Sequence, residues 1–161
     1  MPGRLESIQE TQWIMMYFNL TAPMDRSAAN SSCKESKAII SGLETPGDIN
    51  FVKYNTRKFL KAYFDPNTDL KGWTVWVDGE RLDANSNEFT FSDPYFTKKK
   101  YDYCATQYSG VDHVPRYNCL LLMVPKNEND PRFGFVDDTD CNDVVSYKLV
   151  TKGVVCGKAA V

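Results

Sequence analysis

Apolar residues along this chain come in short runs separated by turn-forming clusters. Leu5 and Ile8 lie three apart, with Gln12 and Trp13 following at helical spacing, which predicts a short N-terminal helix. From Met15 the pattern changes: MMYFNL is rich in strand formers and ends at Ala22-Pro23, and a polar Ser/Asn-rich loop is expected through Ser32. CKESKAIISGL then leads into the turn ETPGD. INFVKY and RKFLKAYF follow as strands, the second with Leu60, Ala62 and Phe64 on one face and Arg57, Phe59, Lys61 and Tyr63 on the other. GWTVWVDGERL carries a tight-turn signal at Asp78-Gly79. NEFTF, KKYDYCATQY, YNCLLLMVP and RFGFV bring the total to roughly eight strands. Val144, Val145, Lys148 and Leu149 fall near one helical face, with Gly153 at a stop position, so a C-terminal helix is expected over about 141–153. The pattern as a whole predicts a single all-β domain over 1–161. An eight-stranded antiparallel barrel over about 15–137 would remove its exposed edges, with one short helix before it and one after.

Composition narrows the function. The 161 residues suffice for one sizeable core, and a net charge of −2 argues against a nucleic-acid partner, which would need a clustered basic surface. The one basic run, Lys98-Lys99-Lys100, reads as a solvated loop. No stretch approaches the ~18 consecutive apolar residues of a membrane span. The five cysteines (33, 104, 119, 141, 156) form no CxxC pair, which disfavours zinc. The N-terminus lacks an apolar core of signal-peptide length. Scattered cysteines, together with the sequons Asn19-Leu-Thr and Asn30-Ser-Ser, nevertheless predict a secreted glycoprotein whose signal has been removed and Met1 added.

Catalytic chemistry is not in view. His113 stands alone in SGVDHVPR, outside any triad spacing. Glu128, Asp130, Asp137, Asp138 and Asp140 crowd one acidic stretch but lack the spacing, central glycine and terminal glutamate of an EF-hand. Cys104 has no basic neighbour beyond the lysine run to activate it. The expectation is a binding protein, not an enzyme, with no cofactor and no metal. A barrel of eight strands holds one small ligand, and Trp73, Trp76, Phe89, Phe91, Tyr101 and Tyr103 would line its cavity.

In order along the chain stand a Trp after an N-terminal helix, a Tyr-bearing strand, Cys33, WTVWVDG, an Asn-Cys strand ending in Val-Pro-Lys, Cys141 and Cys156. That order resembles the tick salivary lipocalins. The resemblance implies a lipocalin barrel with disulfides Cys33–Cys156 and Cys119–Cys141, leaving Cys104 a free thiol. It also implies a secreted scavenger of host mediators. Amine-binding members carry acids where this chain has Leu120 and Gly134, so the resemblance points to an apolar ligand: an eicosanoid, fatty acid or sterol such as cholesterol. The implied ligand-binding set is Arg57, Phe59, Lys61, Tyr63, Trp76, Phe89, Phe91, Tyr103, Leu120, Leu122 and Gly134, with Lys53 a further cation for a carboxylate. The alternatives are an immunomodulatory lipocalin that binds a host protein or immune cell through its outer surface, and a β-sandwich without a closed barrel. A monomer is expected.

Overall fold

The computed structural model describes residues 3–8, 12–83, 88–101 and 117–159. Its elements run in the order β1 (Gly3–Ile8), β2 (Gln12–Phe18), α1 (Arg26–Glu35), β3 (Ile39–Ile40), α2 (Pro46–Lys61) and β4 (Gly72–Arg81). They continue with β5 (Phe89–Thr90), β6 (Cys119–Pro125), β7 (Val136–Thr139), β8 (Val145–Ser146) and β9 (Leu149–Ala159). One sheet of order β1-β2-β9-β4-β6-β7 organises them, with β3 and β8 on β9 and β5 on β4. The sheet is open and mixed, because β4 and β9 run parallel. The expected closed antiparallel lipocalin barrel is therefore absent, and with it the lumen that was to hold an apolar ligand.

The helices lie elsewhere than periodicity suggested. The predicted N-terminal helix is strand β1, which pairs from Gly3↔Phe18 to Ile8↔Trp13. Two apolar positions three apart are too thin a stripe to hold a helix against that hairpin. The polar loop before Cys33 is α1, started by Asp25, whose Oδ1 accepts the Ala28 N–H at 2.8 Å. Ala29 and Cys33, four apart, bury one face of α1, and the Cys33–Cys156 disulfide pins it to β9.

The two strands read into INFVKY and RKFLKAYF are the single helix α2. ETPGD is its start: Thr45 and Asp48 form a reciprocal capping box and Pro46 occupies the first turn. Ile49, Val52, Thr56 and Leu60 make its buried stripe.

The expected C-terminal helix is β8 and β9, joined by a turn in which Tyr147 and Lys148 take positive φ of 56° and 62°. β9 lies between β2 and β4, so its β-branched residues are packed on both faces. Gly153 is no stop but a close approach inside that strand: a Cβ there would stand 2.7 Å from Phe18 Cδ1 and 2.8 Å from the Tyr17 carbonyl oxygen. Asp78-Gly79 is not a hairpin turn either. β4 runs on through it, with a register shift between Trp76 and Glu80 and Gly79 at φ +137°.

The unbroken run Leu120–Val124 separates two cores. Leu120, Leu122 and Val124 face one cluster with Ile49, Val52, Leu60, Trp73 and Val75. Cys119, Leu121 and Met123 face the other, with Met24, Ala29, Trp76 and Cys156. The Cys119–Cys141 bond ties β6 to the segment beyond β7 across 22 residues.

Candidate functional site

A cleft forms where α2 ends and the chain returns to the sheet. The Tyr63 N–H reaches the Leu60 carbonyl at 2.9 Å, tightening the last turn. Asp65 and Thr68 then order the loop by accepting the N–H groups of Asn67 and Leu70 at 2.9 and 3.2 Å. At the entry to β4 the Lys71 N–H bonds the Lys148 carbonyl at 2.7 Å, and the Lys126 N–H bonds the Lys71 carbonyl at 2.9 Å. Gly72, at φ +149°, permits this approach, since a Cβ there would lie 2.6 Å from the Lys126 nitrogen. Backbone geometry thus holds Lys71 beside Lys126, and Lys61 arrives from the helix.

The resulting cleft measures about 460 Å³ and is lined by Lys61, Phe64, Thr68, Leu70, Lys71, Lys126 and Asn127. No carboxylate is among these lining residues. Lys126 Nζ sits 3.9 Å from the Phe64 ring centroid, so one wall is apolar and its rim cationic. A smaller cavity of about 220 Å³ shares Phe64, Thr68 and Leu70 with the cleft and adds Tyr63, Trp73, Asp65 and Lys152. Burial lowers the Lys152 pKa. A third cavity of about 360 Å³ shares Tyr63 and adds Asn55, Lys58 and Phe59. Tyr63 stands 59% exposed between the last two, its ring 5.8 Å from that of Phe59. Such a surface can bind an anion carried on a ring-shaped or apolar body.

The sheet offers a second polar cluster where β4, β6 and β7 meet. Arg81 and Asp138 form an ion pair at 3.0 Å with both side chains fully buried. Arg81 also donates to the Tyr117 carbonyl at 2.7 Å, and its guanidinium lies 4.7 Å from the Phe89 ring centroid. The Tyr147 hydroxyl donates to the Asp138 carbonyl at 2.9 Å, and burial, then the Asp137 and Asp138 carboxylates, raise its pKa. Among the described residues no group of three metal-ligating side chains occurs. Because Asp138 is committed to Arg81, this cluster reads as a brace between strand ends.

Of the residues the lipocalin resemblance implied, Phe59 and Lys61 on α2 and Tyr63 in the turn just past it meet around the cavities at the α2 end, not on a barrel wall. Arg57 lies over the Tyr54 and Phe133 rings at 5.6 and 5.0 Å and pairs with Glu128. Lys53 covers the same two rings at 5.1 and 4.8 Å. Trp76, Leu120 and Leu122 are fully buried in the cores, and Phe89 and Phe91 pack against them. Gly134 belongs to a turn at φ +87° beside Lys53, so it does not share a wall with Leu120. Tyr103, Cys104 and His113 lie outside the described residues. Sequence reasoning missed Lys71, Lys126 and Leu70; the lysines flanking LKGW and VPKN, at the ends of β4 and β6, are the signal that could have found them.

No family model matches the chain, and no curated protein does. Solved structures do match it. A calcium-independent type II antifreeze protein superposes with a TM-score of 0.61 at 11% identity, covering 97% of this chain and 92% of its own. The mouse scavenger receptor C-type lectin carbohydrate-recognition domain gives 0.57 at 13%, covering 97% and 96%. The cow C-type carbohydrate-recognition domain of CD23, solved in the presence of GlcNAc2Man3 oligosaccharide, gives 0.57 at 14%, covering 98% and 99%. These likenesses overturn the lipocalin resemblance. With it go the eicosanoid or sterol ligand and the host-protein alternative that rested on the same family. What they establish is the fold: that of the C-type lectin-like domain.

Proposed function

We propose that this chain is an extracellular, non-enzymatic recognition module that binds an acidic saccharide, sulfated or uronate-bearing, in the cleft at the end of α2. The observation that carries the reading is the convergence of Lys61, Lys71 and Lys126 on one cleft walled by Phe64 and Leu70, with no acid among its lining residues, in a chain of net charge −2. Three cations facing one space repel each other and are balanced best by a bound anion. Exposed aromatic faces such as Tyr63 suit the apolar faces of pyranose rings. The saccharide class is supported by the fold neighbours, two of which are carbohydrate-recognition domains by name. An extracellular setting is supported by the two disulfides.

Each exposed lysine–anion contact contributes about 0.2–1 kcal/mol, so removing all three weakens binding by roughly 3- to 150-fold. The test is calorimetric titration of a sulfated heparin-type tetrasaccharide and its desulfated counterpart into the wild type and into K61A/K71A/K126A. Sulfate-dependent binding that weakens with salt and falls within that range in the triple variant supports the reading. Equal affinity of wild type and variant refutes it.

A further inference from the structure

The chain carries two acceptor sequons, and the structure treats them differently. Asn19 follows the last residue of β2, where its own N–H is fixed to the Lys152 carbonyl at 2.8 Å. Its side-chain Oδ1 accepts three hydrogen bonds: from the Thr21 N–H at 3.0 Å, the Thr21 hydroxyl at 2.9 Å and the Ala22 N–H at 3.1 Å. Thr21, Ala22 and Pro23 are exposed. The Asn19 amide nitrogen, on the other side of the carboxamide, donates to none of the described residues. The hydroxyl two residues on is therefore already on the carboxamide oxygen, polarising the group, while Nδ2 of the half-buried Asn19 is not among the buried atoms left without a partner.

Asn30-Ser31-Ser32 lies wholly inside α1. On a helix, residues two apart point about 200° away from each other. The Ser32 hydroxyl consequently cannot reach the Asn30 carboxamide while the helix holds. α1 is held by its Asp25 cap and by the disulfide at Cys33, next to Ser32.

We infer that Asn19 is the N-glycan acceptor of this chain and that Asn30 is not. The donor is a lipid-linked pyrophosphoryl oligosaccharide presented by a transferase. The Asn19 Nδ2 bonds to the anomeric carbon as the bond from that carbon to the pyrophosphate oxygen breaks. The pyrophosphate leaves with the electron pair, and Nδ2 releases one proton to a base of the transferase. This assignment stands independently of what the α2 cleft binds.

The test is site mapping on the full chain secreted from insect cells behind a cleavable leader. Enzymatic deglycosylation in heavy-oxygen water marks each formerly occupied asparagine as labelled aspartate. The expected result is label at position 19, none at 30, loss of one glycan mass in both N19Q and T21A, and no change in N30Q. The conservative T21S, which keeps the hydroxyl, retains the glycan. Label at position 30, or secreted wild-type protein bare at Asn19, overturns the inference. If N19Q fails to secrete, the wild-type map still decides.

Discussion

Gly153→Ala tests the close packing of β9 against β2. At a helix stop glycine serves by taking positive φ, which Gly153 does not do in β9, so what excludes alanine there is space alone. In β9 the new methyl enters a filled space, since Gly153 faces Phe18 across the β2 pairing and Val75 across the parallel β4 pairing. Its Cβ would lie 2.7 Å from Phe18 Cδ1, and Phe18 is fully buried and stacked on Phe59 at 4.9 Å. The second obstruction, the Tyr17 carbonyl oxygen at 2.8 Å, is backbone and cannot rotate away. Overpacking of this kind costs about 1–3 kcal/mol, or roughly 3–10 °C in Tm for a domain of this size. Urea unfolding with disulfides intact, followed by the fluorescence of buried Trp73 and Trp76, measures it directly. A G153A variant as stable as the wild type, or more stable, would refute that close packing.

Three further outcomes follow from the same structure. Asp138→Ala leaves Arg81 charged and buried, so it should destabilise by about 3–5 kcal/mol, and the double replacement R81M/D138L by clearly less; comparable losses in denaturant titrations would contradict the buried pair. Asp78 is 2% exposed, and burial raises its pKa above the ordinary 3.8 although Ser92 and the Asp93 N–H bond it. The folded state thus holds that proton more tightly than the unfolded chain, so its contribution is fully present below about pH 4 and is lost as pH rises through the folded pKa. D78N should flatten that fall in a stability–pH profile, and an unchanged profile would count against it. Cys119→Ser with Cys141→Ser opens a 22-residue closure and should lower stability by about 3 kcal/mol in the chain-entropy account, read as a shift of the urea midpoint.

What the sequence disclosed divides along physical lines. Strands β2, β4 and β6 were legible because Met15–Phe18, Trp73–Val77 and Leu120–Val124 are dense in residues that suit pleated, buried positions. α2 was hidden because Leu60, Ala62 and Phe64 recur at period two, as on one face of a strand, although the helix ends at Lys61. Its true stripe includes Thr56, a polar residue in the core whose hydroxyl rests on the Met16 sulfur at 3.9 Å. α1 was hidden by its three serines and Asn30, poor helix formers stabilised here by a cap, a disulfide and packing on β9. The C-terminus misled because Val144, Val145 and Leu149 match helical spacing while the sheet claims Val145 and Leu149.

Both disulfides join the pairs the lipocalin resemblance implied, although the fold that carries them is different. Of the candidate cleft's lining, only Lys61 stood in the expected set, while Phe59 and Tyr63 line the cavities beside it. Lys71 and Lys126 lie 55 positions apart in the chain and meet only through the Gly72↔Pro125 register.

The central claim, that the α2 cleft is the binding surface, is tested most directly by amide chemical-shift mapping with the sulfated tetrasaccharide. The account predicts shifts concentrated at Lys61 to Lys71 and at Lys126 and Asn127, absent with the desulfated sugar. Shifts confined to Arg81, Asp137 and Asp138, or none at millimolar ligand, would contradict it.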